Sequence, residues 1–212
     1  MHKITTIILL FVTFVSFNWQ AAAQNPDIEL FDKINSINST KGYSTFVSES
    51  TTAFSIAPPV ILGAVALFEK DDEMLKNALY IGSALVVDGV LTYSLKNLID
   101  RKRAYITYPD LIEPYKLLSS KSMPSGHTSL AFATATALTL KYPKWYVIVP
   151  SYIWAGSVGY SRMNLGVHYP TDVLAGAALG AGSAYLTLLL NSLFWKKHNH
   201  KKLISLQHYT PL

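Results

Sequence analysis

Apolar residues in this chain gather into long runs, and no stretch alternates with period two for long. After an opening run at 4–17 come five more, at 52–68, 78–95, 128–140, 146–160 and 173–195. Long runs without a strand period predict helices, so the expected fold is an all-α bundle of five to six helices. The first of the five carries Pro58-Pro59, which is expected to interrupt it. The second carries Asp88 inside an apolar span, expected to partner a polar group on a neighbouring helix. The last is rich in small residues from Ala175 to Ala184, which predicts close helix–helix packing. Ahead of them, 24–50 is polar. Its spaced apolar positions (Ile28, Leu30, Phe31, Ile34, Ile37) predict a short amphipathic helix lying on a surface.

About 20 apolar residues cross a bilayer as a helix. The run 173–195 reaches that length and 78–95 nearly does. The others fall short unless polar ends are counted, and the proline pair is expected to shorten the first. The bundle is therefore expected to span a membrane, with a compact soluble helical protein as the alternative. The N-terminus reads as an export signal: His2 and Lys3, the apolar run, then Ala21-Ala22-Ala23 as a cleavage site. Segment 1–23 is a signal peptide or an uncleaved first membrane helix. Beyond it lie a polar segment at 24–51, a helical domain at 52–195 and a basic tail at 196–212.

With the N-terminus inside, alternating spans put 69–76, 141–144 and 196–202 on the cytoplasmic side. The last two are basic, as the positive-inside rule asks. The same threading brings 96–103, 124–127 and 161–172 together at the outer ends of the helices.

Composition agrees with a membrane setting: half the residues are hydrophobic and 15% are charged, against the usual quarter. The net charge of +5 is concentrated at 96–103 and 196–202 rather than spread along a stripe, which argues against a nucleic-acid partner. The absence of cysteine excludes disulfides, thiolate catalysis and zinc–thiolate sites. No Asp/Glu cluster has metal-ligand spacing.

The three outer segments carry the candidate chemistry. Lys96 and Arg103 are seven apart, so a continuing helix would put both on one face, a pair suited to a dianion. Alone, they also read as the basic flank of a membrane helix. In Pro124-Ser125-Gly126-His127, Ser125 is an expected N-cap. The free amides behind it would make an anion site that Gly126 leaves open, and His127 stands where it could protonate a leaving oxygen. In 161–172, Arg162 adds a forked cation. His168 and Asp172, four apart, are expected to pair so that the carboxylate fixes the imidazole tautomer. A capped helix with a surface His–Asp pair explains that segment equally well by itself. One phosphate site explains all three segments and their convergence. Asp100 is expected to support the basic segment. The loop 104–123, with Tyr105, Tyr108 and Tyr115, reads equally as a cover for the site or as a connector.

Together these segments resemble the signature of the type-2 phosphatidic-acid phosphatase superfamily, shared with bacterial class A acid phosphatases and vanadium haloperoxidases. Its pattern is lysine, six residues, Arg-Pro; then Pro-Ser-Gly-His; then Ser-Arg, five residues, His, three residues, Asp. The chain matches in order and spacing over about 52–195. Its one departure is Ala104, where the family usually has proline, which bears on the stiffness of that turn. The resemblance implies that Lys96, Arg103, Arg162, Ser125 and the Gly126 amide hold phosphate oxygens. His168 would attack phosphorus, Asp172 would orient it, and His127 would protonate the leaving alcohol and then activate water, with no metal or cofactor required. It implies a phosphatase of lipid phosphates in a bacterial inner membrane, with its site facing the periplasm. Phosphatidic acid, phosphatidylglycerol phosphate, undecaprenyl pyrophosphate and lipid A phosphate are the candidate substrates. A soluble periplasmic acid phosphatase, a haloperoxidase and a non-catalytic phosphate- or lipid-binding protein are the alternatives.

Overall fold

The computed structural model describes residues 24–207, with side-chain surroundings for 26–192. The expected export segment at 1–23 and the side chains of the basic tail lie outside the described residues. Helix α1 (Gln24–Asn35) leads through a 3-10 turn (Asn38–Thr40) to α2 (Lys41–Glu69). Then follow α3 (Asp72–Ile99), the one-turn α4 (Ala104–Thr107), α5 (Gly126–Lys141), α6 (Trp145–Asn164) and α7 (Pro170–Gln207). The described fold is all-helical, as the periodicity predicts.

Four boundaries differ from expectation. Helix α2 passes through Pro58 and Pro59 without a break. The two prolines forfeit only the bonds to the carbonyls one turn back, and packing on α3 supplies what they lose. It also starts at Lys41, within the stretch expected to be surface-lying. Helix α6 begins at Trp145 and runs to Asn164, longer than its apolar run. Helix α7 continues through the basic stretch to Gln207.

Helix α5 is the hub, packed against α2, α3, α6 and α7. It buries Thr128, Ser129, Ala131, Ala133, Thr134, Ala135, Thr136 and Ala137. These small residues let four helices approach one axis. The closest approach is to α7: a Cβ on Gly176 would stand 2.6 Å from the Ser125 carbonyl oxygen, and one on Gly180 would overlap that of Ser129. Asp88 on α3 joins this core by accepting from the hydroxyls of Ser129 and, at 3.4 Å, Ser183 on α7, as its place in an apolar span predicts.

Outward, the bundle is apolar. Phe46, Phe54, Val60, Leu67 and Phe68 on α2 are exposed, as are Val86, Val90 and Leu98 on α3 and Ile153 on α6. Among the described residues, three helical stretches are long and apolar enough to cross a bilayer: Asn38–Glu69, Asp72–Thr107 and Pro170–Ser192. The first was expected to be too short; an unbroken α2 restores its length. A belt of bare apolar side chains suits lipid and counts against the soluble alternative. The protein is a membrane-spanning helical bundle.

Helix α1 does not lie free on a surface. Asp27, Phe31 and Asn35 are buried, and Phe31 packs with Ala104, Tyr105, Ile112 and Tyr169. Asn35 donates to the carbonyls of Glu113 (3.2 Å) and Asn164 (3.0 Å) and accepts from the Glu113 amide (3.1 Å). The helix is thus docked on the end of the bundle that carries the three motif segments.

Candidate active site

The end of α3, the start of α5, the end of α6 and the start of α7 meet at one end of the bundle, as an antiparallel arrangement requires. Lys96 stands in the last turn of α3, which stops at Ile99. Asp100 ends that helix in the left-handed conformation (φ 51°), where a short polar side chain is tolerated. Its carboxylate pairs with Lys121 and so ties the helix end to the following loop. Arg103 therefore lies beyond the helix in extended backbone. It meets the Lys96 region through a turn, not along a shared helical face as expected.

The cations are fastened from behind. Lys96 Nζ donates to the carbonyls of Lys121 (2.7 Å) and Ser122 (3.4 Å). Arg103 is 2% exposed and donates through Nε to the Ser120 carbonyl (2.8 Å), through Nη1 to that of Val167 and through Nη2 to the Ser120 hydroxyl (2.9 Å). Its Nη1 stands 3.4 Å from His168 Nε2. Arg162, in the last turn of α6, is 1% exposed and donates to Ser48 Oγ on α2, with Tyr115 of the loop beside it. Its Nε is buried with no protein partner. A guanidinium anchored on one edge and bare on another is set to receive an anion.

Helix α5 brings its N-terminus to these cations. Ser125 sits at the N-cap, but its hydroxyl bonds Thr128 Oγ1 at 2.9 Å and does not cap a first-turn amide as expected. Its amide donates to the Asp172 carbonyl at 3.0 Å, which fixes α5 to α7. The first-turn amides, beginning with Gly126, have no carbonyl a turn earlier to bond, and they carry the positive end of the helix dipole. Gly126 faces Thr92 and Lys96 of α3. His127 is half-buried beside this cluster, and burial followed by the charges of Arg162, Lys96, Lys116 and Arg103 lowers its pKa to about 4.

His168 is 2% exposed in the turn between α6 and α7. That turn needs Gly166, whose φ is +71° and whose Cβ would overlap the Glu113 carbonyl. The His168 amide donates to the Arg162 carbonyl at 3.2 Å, which couples the two side chains' positions. Its Nδ1 stands 3.5 Å from Asp172 Oδ2, within ion-pair reach, and has no hydrogen-bond partner. Burial, partly offset by Asp172, pulls the His168 pKa down to about 3, so at neutral pH it keeps a lone pair.

Asp172 is itself held on every side. Its Oδ1 accepts from Arg101 at 2.7 Å, and its Oδ2 from the Ser122 hydroxyl and the Tyr169 amide (3.0 Å). The fold thus gathers Lys96, Arg103, Ser125, Gly126, His127, Arg162, His168 and Asp172 at one place. Sequence reasoning did not single out Arg101, Ser122, Ser48 or Asp27. Arg101 lay in plain view inside the basic segment, but Asp27 on α1, Ser48 on α2 and Ser122 in the loop are far apart in sequence and carry no spacing signal. The loop 104–123 is pinned: Tyr105 donates to the Leu118 carbonyl (3.0 Å) and accepts from its amide (2.9 Å). Ala104, at the position of the expected proline, is buried under Phe31.

Buried cations, a helix N-terminus and two imidazoles thus meet at the rim of a membrane bundle, a set of groups suited to phosphoryl transfer. Comparison with known proteins agrees. Residues 77–196 match the PAP2 superfamily, and the chain belongs to it. It is 31% identical over 172 residues to an undecaprenyl-diphosphatase of Sulfolobus acidocaldarius, covering 78% of this chain and 79% of that protein. It is 33% identical over 121 residues to a lipid A 1-phosphatase of Rhizobium johnstonii, covering 52% of this chain and about half (46%) of that protein. Among solved structures, it is similar to a transmembrane PAP2-type phosphatidylglycerolphosphate phosphatase from Bacillus subtilis. The TM-score is 0.68 at 28% identity, covering 91% of this chain and 97% of that one. The chain is a membrane-embedded phosphatase of this superfamily.

Proposed function

We propose that this protein hydrolyses phosphate monoesters or diphosphates of lipids through a phosphohistidine on His168, at a site facing the periplasm. The observation that carries it is the convergence of Lys96, Arg103 and Arg162 with His127 and His168 at the head of α5, at one end of a lipid-facing bundle. In the first step the His168 lone pair forms the N–P bond while the bond from phosphorus to the leaving oxygen breaks. Three cations and the α5 amides stabilise charge on the phosphoryl oxygens. His127 gives its proton to the leaving oxygen. In the second step His127 takes a proton from water, whose oxygen attacks phosphorus and releases His168 and inorganic phosphate.

His127 is neutral in the free site at pH 7. An arriving phosphate reverses the field of its cations and raises its proton affinity, so substrate recruits its own acid. His168, whose burial holds its pKa lower still, at about 3, is the group that stays unprotonated and attacks.

The relatives named above support the lipid class, one an undecaprenyl-diphosphatase and the other a lipid A 1-phosphatase. The outward orientation is supported by lysines at the other end of the bundle, Lys141 and Lys144, together with those at 196–202. The test is phosphate release by purified protein from a panel of lipid monophosphates, lipid diphosphates and p-nitrophenyl phosphate. Turnover is expected on lipids and absent in His168→Ala of unchanged melting temperature. Wild-type turnover in that variant removes the mechanism, and activity confined to the soluble ester removes the lipid reading.

A further inference from the structure

Asp172 is joined to a second carboxylate through Arg101. The guanidinium donates through Nη1 to Asp172 Oδ1 and Thr171 Oγ1, each at 2.7 Å, and through Nη2 to Asp27 Oδ2 at 2.8 Å. Its Cζ stands over the Tyr169 ring, 3.8 Å from the centroid, a cation–π contact that helps hold it in place. Asp27 is 5% exposed and has no local reason to be buried. It accepts from the Thr171 amide at 3.0 Å and the Thr171 hydroxyl at 2.6 Å. It thereby satisfies, from another helix, a first-turn amide of α7, as a capping side chain does. Asp27 lies on α1, fifty residues ahead of the stretch that matches the superfamily.

We propose that Asp27 and Arg101 are positioning residues for the proposed phosphoryl transfer, acting on His168 through Asp172; the inference rests on His168 being the nucleophile. Two carboxylates share one guanidinium. Arg101 orients Asp172 without neutralising it, because Asp27 takes part of its charge. Asp172 is left with negative potential to hold His168 as positive charge develops on it during attack. The fork reaches both carboxylates at once, which lysine cannot do. Helix α1 is in this way a working part of the site.

The charged and titratable groups that face His168 are Asp172 from α7, Arg162 from α6 and Arg103 from the loop after α3. Asp27 reaches it by way of Asp172, through Arg101 and through Thr171 in the same first turn of α7. The experiment is therefore a kinetic cycle on the full-length protein in detergent, with Asp27→Asn, Asp172→Asn and the double variant. Asp27→Asn is expected to lower kcat about tenfold with KM within about twofold, the effect of losing one hydrogen bond to a charged group. In the Asp172→Asn background the same change is expected to alter kcat by less than about twofold, because its route to His168 is gone. An unchanged kcat in Asp27→Asn overturns the proposal, as does an equal loss in both backgrounds.

Asn35→Ala loosens the other end of α1 and serves as the docking control: a lower melting temperature with kcat within about twofold is expected. A kcat loss there matching that of Asp27→Asn would reduce Asp27 to a docking contact and overturn the proposal. If Asp27→Asn does not fold, Arg101→Lys carries the same cycle, with the same pattern expected and the same results overturning it. A dead His168→Ala beside an unaffected Asp27→Asn rejects this inference alone. An active His168→Ala rejects the mechanism beneath it.

Discussion

Asp172 and Asp88 are both buried in this bundle, and their surroundings differ in kind. Asp172 stands at the head of α7 with Arg101, Ser122 and the Tyr169 amide on its oxygens and His168 at its side. Asp88 stands midway along α3 and accepts from two hydroxyls, Ser129 on α5 and Ser183 on α7. The first is ion-paired to a guanidinium that also holds a second helix in place. The second is a hydrogen-bond hub joining three helices, and Thr92 extends it toward the site by donating to Ser129 at 3.2 Å. Burial alone does not distinguish a carboxylate that serves chemistry from one that serves packing. The charged partner and the neighbouring imidazole do.

The largest effect that would sharpen this contrast is on turnover at the rim. Asp172→Asn keeps the shape and removes the charge, and phosphate release is expected to fall about 10³-fold. A fall under tenfold would mean that Asp172 is a helix cap and not a partner of His168. The next is on folding at the middle. Gly180→Val places a branched side chain against the Ser129 carbonyl, where even a Cβ has no room. A destabilisation above about 4 kcal/mol is expected, seen as loss of the monodisperse detergent-solubilised protein. Recovery of stable protein would show that α5 and α7 can separate.

Smaller still is Asp88→Asn. The amide can still accept from Ser129 and Ser183, so turnover is expected within about threefold of wild type and stability to fall by about 1 kcal/mol. A loss as deep as that of Asp172→Asn would erase the distinction between the two aspartates. The last effect is pH-dependent. His127 and His168 are held near 4 and 3 in the fold, against about 6.5 in an unfolded chain. The unfolded state takes up their protons first, so their contribution is intact above pH 6.5 and is lost as pH falls below it. Melting temperature in detergent is expected to decline from pH 6.5 toward 4, and less steeply in His127→Ala. Equal slopes would mean that His127 titrates alike in both states.

Much of this was legible in the residue pattern. The apolar runs located the long helices, because burial in lipid or in a bundle core demands continuous apolar length. The spacings Lys96 to Arg103, Pro124 to His127 and Ser161 to Asp172 located the site, because each motif sits on one local turn whose geometry follows from neighbours in sequence. Where local rules were carried too far, the fold corrected them. Pro58-Pro59 left α2 intact, since a helix packed on its neighbours tolerates two missing donors. Ser125 did not cap α5, since Thr128 offered its hydroxyl a buried partner. Lys96 and Arg103 met across a turn, since Asp100 ends α3 between them.

By itself the sequence determined an all-helical membrane bundle, the place of its site and the residue types gathered there. Those depend on hydrophobic length and on spacings within one or two turns. Only the tertiary structure decided that α1 is docked over that site with Phe31 against Ala104, that Ser48 holds Arg162, and that Asp27 and Asp172 share Arg101. These contacts join residues dozens of positions apart. They form because buried charges and unpaired donors must find partners wherever the fold brings them, and no local pattern records which partner that will be.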